Sequence, residues 1–127
     1  MQEDFNKLVY IFQNYSGEIA DHMVRPFIEK YQSLDKVKDS NKSTLLHYFV
    51  SKKDFSNFDQ LVGYFMTVNH KDKDGNNPMH ICYKDDCFFQ KLYDLGGDLL
   101  AENNAGQTPV SLMIADESSS FVSFFSM

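Results

Sequence analysis

The residues best suited to chemistry in this chain lie close together. His80, Cys82 and Cys87 run as His-x-Cys-x4-Cys, three side chains that bind zinc elsewhere. Zinc sites in short motifs, however, bring their ligands in close pairs from two places, and no second pair exists here. Cys82 falls inside a helical pattern and Cys87 beside a turn, so the spacing does not converge on one ion. Ser111 and Ser118–Ser120 lack a His and an Asp placed to activate a nucleophile. Gly96-Gly97 follows a helical pattern, whereas a phosphate-binding glycine loop follows a strand and opens a helix. His47 and His80 have no partner of suitable polarity nearby in sequence. The expectation is therefore no catalytic residue, no metal ligand and no cofactor.

The elements that carry these residues follow from turn and cap chemistry. Asp74-Gly75 is a turn dipeptide, because glycine accepts a positive φ. Asn77 suits a helix N-cap, and Pro78 suits the first helical position, where its missing N–H costs nothing. Met79, Cys82 and Tyr83 then form the stripe that a helix buries. The same order of residues occurs twice more, as Asp39–Phe49 and as Asn103–Met113. The cap position moves from Thr44 to Asn77 to Thr108, steps of 33 and 31 residues.

This pattern resembles the ankyrin repeat, whose motif reads D-x-x-G-x-T-P-L-H-x-A at a period near 33 residues. Gly75, Pro78, His80, Gly106, Thr108 and Pro109 match the motif, as do Thr44 and His47, and Gly96-Gly97-Asp98 resembles the family's G-A-D ending. Lys42 stands for the motif glycine, Leu45 for its proline, Asn77 for its threonine and Ser111 for its histidine. Cys82 takes the place of the small buried alanine. The resemblance implies an all-α solenoid of helix–turn–helix units joined by short β-hairpin loops. It implies one domain over residues 1–127, with a degenerate capping repeat at 1–38, repeats at 39–71 and 72–102, and an incomplete one at 103–127. It also implies that both motif histidines bond to backbone and fix stacking.

Finer expectations concern the helices. Residues 3–15 and 19–31 are amphipathic, with a kink or a restart at Pro26. In the first repeat, helices run from about Thr44 to Ser51 and Ser56 to Met66. The second of these is expected to run on, because Phe65 stands where the resemblance implies a C-capping glycine. In the next repeat helices run from about Pro78 to Lys84 and Cys87 to Leu95, and in the last from about Thr108 to Ala115. Phe121, Phe124 and Phe125 read as an unfinished second helix, expected either of a domain of a longer protein or of a short protein whose final helix acts as its own cap.

Composition narrows the function. Hydrophobic residues make up 43% of the chain, enough to fill a core. A net charge of -6 argues against general nucleic-acid binding, which needs phosphates to be neutralised. The acidic start, Met1-Gln2-Glu3-Asp4, lacks the features of a secretory signal, and no apolar run is long enough to enter a membrane. An intracellular, cytoplasmic location is expected.

The resemblance implies binding of another protein or peptide along the loops and the concave face. On that basis the contact candidates are Lys36, Lys38, Lys42, His70, Lys71, Lys73, Asn76, Asn104 and Gln107 on the loops. Tyr48, Ser51, Tyr83 and Lys84 are candidates on the helices, with Tyr48 and Tyr83 equally suited to core packing. Asp35, Asp39, Asp72 and Asp74 balance the lysines as solvated charges. A second class of function is a regulatory or targeting domain of a multidomain enzyme, such as an exchange factor, a secreted bacterial effector or a lipid-transfer protein. A third is a viral or bacterial inhibitor that mimics a host protein.

Overall fold

A computed structural model describes residues 1–64 and 67–116. Among these the chain is all-α, with seven α-helices, one turn of 3-10 helix and no strand. It divides into two compact units, the first ending at Thr67 and the second starting at Val68.

In the first unit, α1 (Gln2–Asn14) buries Phe5, Leu8 and Phe12 on one stripe, as its apolar spacing requires. α2 (Gly17–Tyr31) passes through Pro26 as one helix without restarting, although proline removes one backbone donor. It ends at Gln32, whose φ of +71° is left-handed and whose N–H reaches the Ile28 carbonyl at 2.7 Å. α1 and α2 are antiparallel: Asp4, near the start of α1, accepts hydrogen bonds from Lys30 at 2.9 Å and from Tyr31, near the end of α2. These two donors, Tyr31 first, hold the Asp4 carboxyl below its usual range.

The 3-10 turn Leu34–Lys36 packs on α2 and on α3 (Leu45–Ser51). α4 (Phe55–Val62) lies against α3 and α1. Asp54 caps α4 by accepting the Asn57 N–H at 3.2 Å. Phe12 meets Phe49 and Tyr64 edge-on, with ring centroids 6.2 and 5.8 Å apart. Asp35 is buried, not solvated: its carboxylate accepts from the Ser33 hydroxyl and from the Thr67 N–H at 3.4 Å.

The second unit holds α5 (Pro78–Ile81), α6 (Asp86–Asp94) and α7 (Pro109–Asp116), with α5 touching both others. α6 ends in a Schellman motif. The Gly97 N–H bonds the Leu92 carbonyl at 2.8 Å and the Gly96 N–H bonds that of Tyr93 at 3.0 Å, with Gly96 at φ +96°. Gly97 must be glycine for space: a Cβ there would sit 2.8 Å from the Leu92 carbonyl oxygen and closer still to the Met79 sulfur.

Several expected boundaries shift. α4 stops at Val62 rather than running towards Met66, because its last turn closes at Gly63 and Tyr64, whose N–H reaches Leu61 at 3.1 Å. α5 stops at Ile81, one turn after its cap, rather than at Lys84, and Cys82 leaves helical geometry with φ −109°. The β-hairpins are also absent: the loops at 39–43, 72–76 and 103–107 close on single turns with no second rung, so no strand forms. Phe65 and the Phe121–Phe125 segment lie outside the described residues.

Candidate functional site

The three loops are built from the same bonds. In the first, the Asp39 N–H donates to the Ser43 carbonyl and the Lys42 N–H to that of Asp39, both at 3.0 Å. Asp39 Oδ1 then accepts the N–H of Asn41 at 2.8 Å and of Ser43 at 2.9 Å. Asp72 makes the equivalent four bonds with Asn76, Gly75 and Asp74, and Asn103 makes them with Gln107, Gly106 and Ala105. The fourth residue of each loop is left-handed: Lys42 at φ +61°, Gly75 at +79° and Gly106 at +78°. The first side chain thus acts as the loop's internal acceptor, in the manner of an Asx turn. The sequence places Asp39 and Asp72 at the head of the repeated motif and among the charges that balance the lysines; their role as internal acceptors is seen in the structure.

The caps repeat as well. Thr44 Oγ1 accepts the His47 N–H, and His47 Nδ1 accepts the Thr44 N–H. Asn77 and His80 make the same reciprocal pair, both bonds at 3.0 Å. Thr108 and Ser111 make it with a hydroxyl in place of the imidazole, at 2.9 and 3.0 Å. Each pair satisfies two backbone donors left over at a helix start.

Within the second unit the loop at 103–107 lies on the loop at 72–76. The Asn104 N–H donates to the Asp74 carbonyl and Asn104 Nδ2 to that of Lys73, both at 2.9 Å. Asn103 Nδ2 reaches Asn76 Oδ1 at 2.9 Å, and Lys71 Nζ reaches the Glu102 carbonyl at 2.7 Å. His80 joins the same seam. Its Nδ1 is an acceptor, so the proton sits on Nε2, 2.9 Å from the Gln107 carbonyl. The ring is 4% exposed, and burial lowers its pKa below the ordinary histidine value.

That shift has a direction in stability. An unfolded histidine titrates near 6.5, above the folded value. The unfolded state therefore binds the extra proton first, so His80's contribution is full above about pH 6.5 and falls as the pH drops towards the folded pKa. Urea unfolding of the wild type should show more loss between pH 7.5 and pH 5 than His80→Gln does. Parallel pH profiles for the two would contradict the assignment.

The expected contact residues fall into groups. Lys36 and Lys42 are exposed, Lys36 near Gln32 Oε1 at 3.1 Å, while the Lys38 backbone N–H lies 3.3 Å from the Met1 sulfur. Tyr48 is half-buried and packs edge-on against Phe5 and Phe49 at 5.9 and 5.3 Å, so it serves the core. Ser51 is exposed and donates to the Tyr48 carbonyl at 2.8 Å. In the second unit Lys71, Lys73, Asn76, Asn104 and Gln107 come together at the stacked loops, and Gln107 Oε1 accepts from Asn103 at 3.2 Å. His70 is half-buried; Lys84 lies over the Tyr83 ring, 5.8 Å from its centroid.

Among the described residues no three His, Cys, Asp or Glu side chains form a group that could hold a metal. Cys82 is buried, and burial pushes its thiol pKa far up, which disfavours the thiolate that metals bind. Cys87 is exposed and free. No described helix is long and apolar enough to cross a membrane. No protein-family model matches the chain, and no curated protein matches it either.

Proposed function

We infer that the chain is a short ankyrin-type array that binds another protein and performs no chemistry of its own. The observation that carries this reading is the identity of the loop-and-cap unit, bond for bond, at Asp39–His47, Asp72–His80 and Asn103–Ser111. Such a unit spends its first side chain on holding the loop, and within the second unit the loop at 103–107 also bonds the loop at 72–76. Among the side chains between, those of Lys42 and Lys73 are left to solvent. Loops fixed in this way present side chains at low entropic cost to a partner, which favours affinity through preorganisation.

The lysines give the surface its sign. Lys36, Lys38 and Lys42 in the first unit, and Lys71 and Lys73 in the second, stand on a chain of net charge -6. Burial of Asp35 and the inward bonds of Asp39 and Asp72 turn these three carboxylates away from the loops' solvent side, while Asp74 stays exposed beside Lys73. An acidic segment of a partner is the chemistry that such loops suit. Reversing Lys36, Lys38, Lys71 and Lys73 to glutamate should abolish capture of partner proteins from lysate, with helical content unchanged by circular dichroism. Unaltered capture by that variant would remove the loops as the binding surface.

A further inference from the structure

The two histidine cap pairs differ in the chemistry of one atom. In the first unit the Thr44 hydroxyl lies 2.9 Å from His47 Nδ1 and can turn its hydrogen towards the ring. In the second, Asn77 Oδ1 lies 2.8 Å from His80 Nδ1. That atom is the amide oxygen, because it accepts the His80 N–H at 3.0 Å, while the amide Nδ2 points to the Asp98 carbonyl at 3.3 Å. It has no hydrogen to offer. Neutral His80 thus sets two acceptors face to face, offset by the Asn77 N–H that Nδ1 accepts at 3.0 Å. A proton on Nδ1 reverses the pairing. Asn77 Oδ1 gains a donor, and the Asn77 N–H loses its acceptor in a residue that is wholly buried.

We propose that His80 is a proton-operated latch, and that a second proton on its ring releases the 103–107 loop from the 72–76 loop while the helices stay folded. Both side chains that reach across this seam from the start of α5 belong to the cap pair: His80 Nε2 meets the Gln107 carbonyl and Asn77 Nδ2 that of Asp98. A charged ring in so closed a site lacks solvation, and it regains solvation by moving to water, which takes Nε2 off Gln107. The bonds that remain are made by Lys71, Asn103 and Asn104, which are exposed or half-buried, so water can stand in for either partner. The closed site binds the proton more weakly than a hydrated ring does, because burial lowers the His80 pKa. Falling pH therefore favours the open form between the ordinary histidine value and the closed one. After burial, the carbonyls of Gln107 and Ala101 favour charging of the ring, Lys71 opposes it and Asp72 favours it. Asp98 and Glu102 on the facing segment are exposed, α6 carries Lys91 and Asp94, and α7 carries no charge over residues 109–115. The latch rests on this seam alone and holds whether or not the loops bind a partner.

The test uses the full chain labelled with nitrogen-15, followed by nuclear magnetic resonance as the pH falls from about 7.5 until circular dichroism reports unfolding. Shifts of the His80 ring nitrogens and of the Asn104, Ala105 and Gly106 amides should follow one midpoint, below the ordinary histidine value and above the pH at which helical content is lost. His80→Gln should remove that titration from the three amides. Asn77→Thr supplies the hydroxyl found at Thr44, favours the neutral ring and should weaken proton binding at His80 by at least about threefold. It exchanges one good N-cap for another, so it keeps the test decisive if His80→Gln does not fold. Loop amides that still titrate in His80→Gln overturn the proposal, since His70 or a carboxylate would then drive them. So does a ring that titrates while the loop amides stay fixed, or one that takes its proton only as the helices melt. An Asn77→Thr midpoint that is unchanged or higher overturns it as well.

Discussion

Gly75→Ala should destabilise the protein by about 2–4 kcal/mol, and Gly106→Ala by only about 1–2 kcal/mol. The two glycines occupy the same place in their loops and share nearly the same backbone, φ +79° and +78°. Both substitutions therefore carry the strain of a left-handed alanine. Their surroundings differ. A Cβ on Gly75 would lie 2.6 Å from Asn104 Oδ1, 2.7 Å from the Asn104 backbone nitrogen and 3.1 Å from the Asn103 carbonyl carbon. Two of those three atoms are backbone and cannot swing aside, so relief requires lifting the 103–107 loop and stretching the Asn104 bond to the Asp74 carbonyl. A Cβ on Gly106 meets nothing within 4 Å. The difference between the two variants isolates the cost of loop-on-loop contact, because the strain cancels. Urea titrations of both in parallel give that difference. Equal midpoints would mean that the 72–76 and 103–107 loops do not pack at the distance described.

Glycine and cap positions were legible in the sequence because their physics is local. An Asp or Asn three residues before a left-handed position, and a Thr or Asn followed at the third residue by His or Ser, satisfy backbone donors within a few residues. Lys42 shows the limit of reading by residue type. It keeps φ +61° without being glycine, because the four bonds of its loop outweigh the strain. The histidine role as a backbone ligand was also readable, and Ser111 preserves half of it: its hydroxyl copies Nδ1 at the Thr108 N–H but is too short to copy Nε2.

Helix ends and burial were less legible, since both depend on distant neighbours. Nothing within Pro78–Lys84 announces that α5 stops at Ile81, and the bond from the Asp85 N–H to the Cys82 carbonyl at 2.9 Å turns the chain at once into α6. Asp35 reads as a surface charge among lysines, yet the Thr67 N–H, thirty-two positions later, draws it inside. The exposure of Tyr10 and Ile19 was missed for a related reason. Both look like ordinary members of amphipathic helices until α4 takes the other side of α1 and leaves them outside.

The deepest packing in the first unit sets the other large effect. Phe49→Ala should cost about 3–5 kcal/mol, a large part of the 5–15 kcal/mol that usually separates folded from unfolded chains. Phe49 is fully buried on α3 and meets Phe12 of α1 edge-on at 6.2 Å and Tyr48 at 5.3 Å. Removing its ring deletes transfer energy and leaves a void between helices that belong to two hairpins, α1–α2 and α3–α4. Neither can move in to fill it without breaking its own contacts, so the cavity persists and adds to the cost. Phe49→Leu retains most of the volume and should cost less than half as much. Phe55 supplies the control. It is 39% exposed and touches Phe58 at 5.8 Å from the start of α4, so its truncation opens a notch that water fills, for about 1 kcal/mol or less. Chemical denaturation followed by far-ultraviolet circular dichroism should rank the three variants Phe49→Ala, Phe49→Leu and Phe55→Ala in falling order of damage. A Phe49→Ala midpoint within error of Phe55→Ala would mean that α1 and α3 do not share a core, and the packing of the first unit described above would have to be abandoned.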